Sequence, residues 1–165
     1  MLPRASETAP PQPPAPYDVA FVEALLAAYA YAMSESLVPR HVKATDAAVW
    51  LYGEAEIAVV AHDTQADPCF VYANCAAQRC FERPWGELVG MPSRFSAEAP
   101  ERAERAATLE QVARYGFIRD YRGLRVAGSG RRFWIEGGVI WNVRNAEGTL
   151  WGQAACFLPP KAEAR

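Results

Sequence analysis

Six side chains of this sequence could act as soft metal ligands or nucleophiles. They are four cysteines and two histidines: Cys69, Cys75, Cys80, Cys156, His41 and His62. A zinc site needs two closely spaced ligand pairs, and the sequence contains no Cys-x-x-Cys pair. On a helix, Cys75 and Cys80 would point about 140° apart, which excludes a disulfide between them there. We therefore predict no metal site and reduced thiols, mostly buried, in a cytoplasmic protein.

The pair His62-Asp63 is the one arrangement that could supply a general base. It falls at the turn of a predicted hairpin, where a solvated histidine is the expected state. No glycine-rich phosphate loop precedes a helix, because Gly128-Ser-Gly130 lies between two predicted strands. The sequence therefore predicts that the protein is not an enzyme.

Residues 114–132 contain six arginines and a single acidic residue, Asp120, with Tyr115 and Tyr121 interleaved. Such a segment could bind an anion or a nucleic acid. The other interpretation places these arginines on the solvent side of a hairpin, paired with the glutamates of residues 98–110. The net charge of the whole chain is −2, which favours the second interpretation, so a nucleic-acid partner is not expected.

Length and composition indicate one folded domain. The 165 residues are 51% hydrophobic and 22% charged, which is typical of a globular protein. The longest apolar run, residues 24–33, is half of the ~20 residues that a membrane span requires. The first residues have no apolar signal segment. We therefore expect a cytoplasmic protein that does not cross a membrane.

The first residues of the chain differ from the rest in their high proline content. Residues 1–16 hold six of the thirteen prolines, which predicts a disordered leader. From Asp18 an apolar stripe at helical spacing predicts a helix that ends before Pro39, and a second short helix is expected between Thr45 and Gly53. The predicted units are a leader at 1–16, N-terminal helices at 17–55, a core at 56–158 and a tail at 159–165.

The core reads as two strands, three helices and three strands. The predicted strands cover residues 57–61, 69–73, 117–126, 132–143 and 150–158, and the predicted helices cover residues 75–81, 85–89 and 100–115. This order favours an α+β fold with a five-stranded antiparallel sheet, short helices on one face and an N-terminal helical extension. Alternation along the fourth strand predicts one face with Phe133, Ile135, Val139 and Trp141, and another with Trp134, Glu136, Ile140 and Asn142.

The element order and several local sequences resemble PAS domains. Residues 72–81 and 85–90 resemble the PAS stretch in which a strand ends at Asn and a short helix follows. The segments Ala-His-Asp at 61–63, Gly-Met-Pro-Ser-Arg-Phe-Ser-Ala-Glu at 90–98 and Asp-Tyr-Arg-Gly-Leu-Arg at 120–125 resemble the MEKHLA family of PAS-like domains. The resemblance covers about residues 18–158. It implies a PAS-like fold and a role in sensing or interaction.

Comparison with the flavin-binding LOV branch of the PAS group disfavours its photochemistry. Ser93 stands where LOV domains carry the photoreactive cysteine, and a hydroxyl cannot form the flavin adduct. Ile135 follows Phe133-Trp134 where LOV domains have an asparagine that bonds the flavin. Haem-binding PAS sensors use a histidine on the long helix, and residues 98–115 contain none. The cofactor, if the protein has one, therefore stays unknown.

From these observations we predict that the protein is a sensory or interaction module that binds a small ligand or a partner protein in signalling. The candidate pocket residues are Tyr72, Asn74, Phe81, Trp85, Arg94, Tyr121, Phe133, Ile135 and Trp141. A homodimer is expected, with an interface formed by Val22, Leu26, Tyr29, Met33, Trp134 and Ile140. The alternative function is a thiol-based redox switch that uses Cys69, Cys75 or Cys80.

Overall fold

The computed structural model of the protein describes residues 19–161. The predicted leader at 1–16 lies outside the described residues, as does the end of the predicted tail. The described part contains one five-stranded antiparallel sheet with helices on both faces. The predicted α+β architecture is confirmed.

The strands follow the order β2-β1-β5-β4-β3 across the sheet. Their bounds are β1 Ala58–His62, β2 Phe70–Ala73, β3 Phe117–Val126, β4 Arg132–Arg144 and β5 Leu150–Phe157. Every neighbouring pair is antiparallel, and β5 lies between the two hairpins because it pairs with both β1 and β4. The last strand in sequence therefore joins the first half of the sheet to the second.

One face of the sheet, called the outer face here, is covered by the N-terminal helices. They are α1 Val19–Met33, a 3₁₀ turn Ala44–Asp46, α2 Ala47–Val49 and a π-helical turn Trp50–Glu54. The opposite, inner face is covered by α3 Cys75–Phe81, α4 Trp85–Leu88, a 3₁₀ turn Ser93–Ser96 and α5 Ala99–Tyr115. The two layers bury two separate apolar clusters, one on each side of the sheet.

Asn74 fixes the junction between β2 and α3. Its side-chain oxygen accepts hydrogen bonds from the backbone N–H of Ala77 and of Val59, which caps α3 and holds β1. Its amide nitrogen donates to the carbonyls of Leu51 and Ile57, at 2.9 Å each. The fully buried amide thereby uses all of its hydrogen-bonding capacity to join four segments.

The apolar side of α1 packs on the sheet of its own chain. Leu25 is completely buried, and its carbonyl accepts a hydrogen bond of 3.1 Å from Nε1–H of Trp141 on β4. The Tyr29 ring meets Trp141 edge-on, with 5.0 Å between the ring centroids. Val22 and Met33 are also buried there, and Leu26 is half-buried. These four predicted interface residues are therefore covered within one chain.

The alternation predicted for β4 is wrong, because both strands of the β3–β4 hairpin bulge at adjacent positions. The ladder register shifts between Ile118 and Tyr121 and again between Tyr121 and Gly123, and Gly137 adopts a φ of 64°. Beyond Gly137 the faces of β4 exchange. The inner face receives Phe133, Ile135 and Ile140, and the outer face receives Val139, Trp141 and Val143.

The exchange also corrects the predicted pairing of Trp134 and Ile140. Ile140 is buried in the inner cluster, so the two side chains do not share a face. Trp134 lies on the outer side and is 42% exposed, with the Arg122 guanidinium 3.7 Å from its ring centroid. The continuous apolar patch from which the dimer was predicted is therefore not formed.

No helix within residues 19–161 combines the length and the apolar character that crossing a bilayer requires.

We predict that Leu25→Ala lowers the free energy of unfolding by about 3 kcal/mol, because it leaves a cavity between α1 and the sheet. Val19→Ala is the matched control on the same helix, since Val19 is 57% exposed, and it should change stability by less than about 0.5 kcal/mol. Urea denaturation of both variants at two protein concentrations measures the effect. Equal stabilities for the two variants would contradict the packing of α1 described above.

Candidate functional site

A cavity of about 50 Å³ lies between the inner face of the sheet and α5. Its walls are largely apolar and include Val60, Phe70, Phe81, Leu109, Ile135 and Ile140. Polar side chains reach the same space from four elements: His62, Arg105, Tyr121, Arg125 and Gln153. A few polar groups in a mostly apolar enclosure are typical of a small-molecule site.

These polar side chains lie on the inner side of the sheet because alternate residues of a strand point to the same face. His62 ends β1 on the same face as Val60, and Gln153 begins the inner row of β5 that continues to Phe157. Tyr121 and Arg125 are four residues apart on β3, beyond the bulge that re-aims this strand. The site therefore depends on the same bulge that exchanges the faces of the hairpin.

Arg105 enters the cavity from α5 although it carries a charge. It is 8% exposed, and its guanidinium donates a hydrogen bond to the hydroxyl of the fully buried Ser93. Ser96 in turn donates to the carbonyl of Ser93 at 2.7 Å, which orders the 3₁₀ turn. Burial, with the nearby positive charge of Arg125, lowers the pKa of Arg105 to about 10, so the group stays cationic at neutral pH.

Arg125 reaches the cavity from β3 and is 7% exposed. Its Nη2 donates to the Tyr121 hydroxyl at 2.5 Å and its Nη1 donates to the Leu124 carbonyl at 2.9 Å. Gly123 lies between Tyr121 and Arg125, and a Cβ there would overlap both side chains. The glycine thus gives the guanidinium room to lie against the tyrosine.

His62 is not the solvated turn residue that the sequence predicted. It belongs to β1 and is buried, and its Nδ1 lies 2.9 Å from the Asp63 carbonyl. Burial lowers the pKa of His62 to about 4. The hydrogen bond to the Asp63 carbonyl raises this pKa, as does the Gln153 side chain, but they offset only part of the effect of burial. The Nδ1–H of the neutral ring donates to the Asp63 carbonyl, so Nε2 carries the lone pair. Nε2 is buried beside the cavity and has no hydrogen bond of normal geometry among residues 19–161.

Two amide side chains attach α5 to the sheet beside the cavity. Asn142 donates to the Val112 carbonyl at 3.0 Å, and Gln153 donates to the Leu109 carbonyl at 3.0 Å. Of the described side chains of α5, only Arg105 and Val112 are buried. The helix is therefore held by few apolar contacts and by polar groups next to the cavity.

Three of the nine predicted pocket residues line this cavity: Phe81, Tyr121 and Ile135. Phe133 packs against Phe81 with 5.2 Å between ring centroids, next to the cavity. Arg94 lies at the surface in an ion pair of 3.1 Å with Asp67.

The other predicted pocket residues stand away from the cavity. Tyr72 and Trp141 belong to the outer cluster, and Trp85 packs against Tyr72 with 5.8 Å between ring centroids. Asn74 is the structural amide described above.

Sequence reasoning missed Arg105, Arg125 and Gln153. In the sequence, Arg105 resembles the other charged residues of a polar helix, because no apolar stripe at helical spacing lies next to it. Arg125 was assigned to the solvent side of the hairpin, and the bulge at Asp120 that turns it inward has no glycine to signal it. The predicted pairing of these arginines with residues 98–110 is confirmed for Arg132, whose guanidinium lies 2.6 Å from Glu98.

Three of the four thiols, Cys69, Cys80 and Cys156, differ from reactive cysteines in their environment. All four are free, and Cys80 and Cys156 are buried. Burial raises the pKa of Cys156 to about 12 and also raises the pKa values of Cys69 and Cys80. A redox-active cysteine has a lowered pKa, so the redox alternative gains no support. Residues 19–161 also contain no cluster of three or more His, Cys, Asp or Glu side chains that could hold a metal ion.

The residues of the cavity do not fit a flavin. Drug- and cofactor-sized ligands occupy pockets of roughly 300–1,000 Å³, whereas this enclosure measures about 50 Å³. Ser93 binds Arg105, whose guanidinium occupies part of the interior. Ile135 contributes an apolar wall and no hydrogen bond to a ring.

The fold of the described residues is similar to that of PAS domains. A PAS domain from Colwellia psychrerythraea superposes with a TM-score of 0.57 at 14% identity, over 68% of this chain and 92% of that chain. A light-oxygen-voltage domain studied with a flavin analogue gives a TM-score of 0.51 at 19% identity, over 60% of this chain and 73% of that chain. An RNA-binding light-oxygen-voltage receptor gives 0.57 at 22% identity, over 74% of this chain and 34% of that chain.

A family model assigns the chain to a narrower group than the fold does. The pattern of the MEKHLA domain matches residues 19–159, so the chain belongs to the MEKHLA domain family. No relative is found among curated proteins. The family and the fold together identify a MEKHLA domain with a PAS-like fold.

The buried histidine predicts a specific loss of stability in mild acid. The pKa of His62 is about 4 in the folded protein and near 6.5 when the chain is unfolded, so below pH 6.5 the unfolded state binds the proton more tightly. Stability is full above pH 6.5 and falls by about 3 kcal/mol as the pH drops to 4, at 1.36 kcal/mol per pH unit. Urea denaturation between pH 4 and pH 8 measures this loss.

His62→Gln should remove that part of the pH dependence, because glutamine stays neutral and can still donate to the Asp63 carbonyl. His41→Gln is the matched control, since His41 is exposed, and its profile should follow the original protein. The assignment is wrong if both variants lose stability in acid to the same extent as the original protein.

Proposed function

We propose that the protein is a non-enzymatic, cytoplasmic sensory module whose inner cavity binds a small molecule and whose helix α5 reports its presence. The proposal takes its general role from the PAS fold and the MEKHLA family. The single observation that carries it is the cavity in which polar groups from β1, β3, β5 and α5 converge. A cytoplasmic location suits four free thiols.

The attachment of α5 supports a signalling role for the cavity. Arg105 is one of two buried side chains on the described part of this helix, and it lines the cavity. A ligand that contacts Arg105 and the strands would add contacts to an element that has few. Ligand binding would therefore order α5 relative to the sheet, which is a population shift that a partner could detect.

Ion pairing of the arginines supports the proposal that nucleic acid is not the partner. Arg122, Arg131 and Arg132 each pair with a glutamate, at 3.4, 3.1 and 2.6 Å. Arg125 is buried. The segment that could have formed a basic surface thus has much of its charge engaged within the chain.

A homodimer remains part of the proposal, on a surface other than the one first predicted. An open groove of about 1,030 Å³ runs along the solvent side of α1, where five alanines face it. Tyr31, Tyr115 and Phe117 border the groove and are 92%, 71% and 36% exposed. Exposed aromatic side chains beside small residues favour contact with a second copy.

We predict that Tyr31→Glu abolishes the dimer, because it places a charge at the centre of this apolar contact, while Val49→Glu does not. Val49 is the matched control, since it is exposed and does not border the groove. Light scattering of the full chain over a range of concentrations measures the mass. A monomeric original protein would refute the homodimer.

Small-molecule binding is tested by thermal denaturation with a panel of compounds of about four non-hydrogen atoms, both charged and neutral. At least one compound should raise the Tm saturably, and Ala155→Val should abolish the effect, because Ala155 lines the cavity and two added methyl groups would fill it. Ala146→Val, on an exposed turn, is the control that should respond like the original protein. Slower hydrogen exchange of α5 amides on binding would support the signalling role. The proposal fails if no compound of the panel binds.

A further inference from the structure

The inner cavity contains two guanidinium groups that have no ion-pair partner among residues 19–161. Arg105 and Arg125 are both more than nine-tenths buried, and the charge of Arg125 lies close enough to lower the pKa of Arg105. Burying a cation in a protein interior is costly unless a negative group pairs with it. A pair of such cations adds mutual repulsion to the cost of desolvation.

No carboxylate of residues 19–161 forms an ion pair with either guanidinium. Asp63 accepts hydrogen bonds from the backbone N–H of Cys69 and of Gln65, at 3.0 and 3.2 Å. Asp67 pairs with Arg94 at the surface. Glu101, one turn before Arg105 on α5, acts on the charge of Arg132. One carboxylate oxygen of Glu101 is buried without a hydrogen-bond partner among residues 19–161, and the charge of Asp67 acts on Arg105 without contact. None of these three carboxylates therefore pairs directly with Arg105 or Arg125.

The hydrogen-bonding capacity of the two guanidiniums is also incompletely used. Each has five N–H donors. Within the described chain, Arg105 donates to Ser93, and Arg125 donates to Tyr121 and Leu124. His62, whose pKa is lowered to about 4, is neutral at pH 7 and supplies no negative charge. The cavity thus presents unused cationic donors to an enclosed space.

We propose that this cavity binds a short-chain carboxylate, with its carboxylate group between Arg105 of α5 and Arg125 of β3. The inference rests on the proposed function, because it names the ligand class of the same cavity. Guanidinium donors match the two oxygens of a carboxylate, and charge-assisted hydrogen bonds of this kind are stronger than neutral ones. The carboxylate supplies the negative charge that the chain does not.

The size and the walls of the cavity define the rest of the ligand. At roughly 10–15 Å³ for each water-sized group, the volume of about 50 Å³ admits three to five non-hydrogen atoms. Leu109, Ile135 and Ile140 form apolar walls, which suit one or two carbon atoms attached to the carboxylate. Acetate and propionate meet both conditions.

Acetate is the probe for the test, and acetamide is its neutral counterpart of the same shape. The Tm of the full chain and calorimetric binding are measured in a series of sodium acetate concentrations, with sodium chloride holding the ionic strength constant. Acetate should raise the Tm saturably, and acetamide should not.

Arg105→Met and Arg125→Met should each weaken acetate binding at least ten-fold. Arg122→Met is the matched control, because Arg122 lies on the opposite face of the same strand as Arg125, over Trp134, and it should bind acetate like the original protein. Without acetate, Arg105→Met should unfold cooperatively at a Tm equal to or above that of the original protein, since it removes an unpaired buried charge. Arg105→Lys keeps the charge but loses the two-pronged donor, and should bind with intermediate affinity.

Each outcome separates the two proposals. If acetate and acetamide stabilise the protein equally, or Arg122→Met loses as much affinity as Arg105→Met, the carboxylate site is refuted. If acetamide or another neutral compound binds saturably, Ala155→Val abolishes that binding and acetate does not bind, the sensory cavity stands and the carboxylate site fails. If neither charged nor neutral compounds bind, the proposed function itself fails.

Discussion

The two adjacent bulges in the β3–β4 hairpin are the constraint on which the rest of the structure depends. The sheet has helices on both faces, so β4 must supply apolar side chains to each of them. A regular strand of thirteen residues would place Phe133 and Trp141 on the same face. The bulge at Gly137 sends Phe133 to the inner helices and Trp141 to α1. Because β3 bulges beside it, at Asp120, the register of the hairpin is restored on both sides.

The order of the elements could be predicted from the sequence because local signals determine it. Asn74 marks the start of α3 and Gly116 the end of α5, and both residues act through their own backbone or nearest neighbours. The faces of β4 could not be predicted by alternation, because a bulge changes the period by one residue. One missed residue inverts every side chain that follows, which is why Ile140 was assigned to the wrong side.

The same cause explains why the candidate site was only partly predicted. Aromatic and aliphatic residues such as Phe81 and Ile135 are expected in a core, and both line the cavity. Arginine is rarely buried, so residue type alone predicts that Arg105 and Arg125 are exposed to solvent. Their burial depends on partners distant in sequence, since Ser93 is twelve residues from Arg105 and the bulge at Asp120 re-aims Arg125. The proposed function therefore rests on residues that contradict the pattern of the core.

The buried arginines and the weak attachment of α5 are two aspects of one arrangement. Replacing Arg105 by an apolar residue would tie α5 to the sheet more tightly, as burying a hydrophobic side chain is favourable where burying a cation is not. The helix would then be held whether or not a ligand were present. With a cation at this position, the proposal predicts that the affinity of α5 for the sheet depends on what neutralises the charge. Ser93 contributes a hydroxyl to Arg105 but no charge, so it orients the guanidinium without satisfying it. Under the proposed function, a second molecule that neutralises the charge would strengthen the attachment of α5, and the helix could then report that molecule.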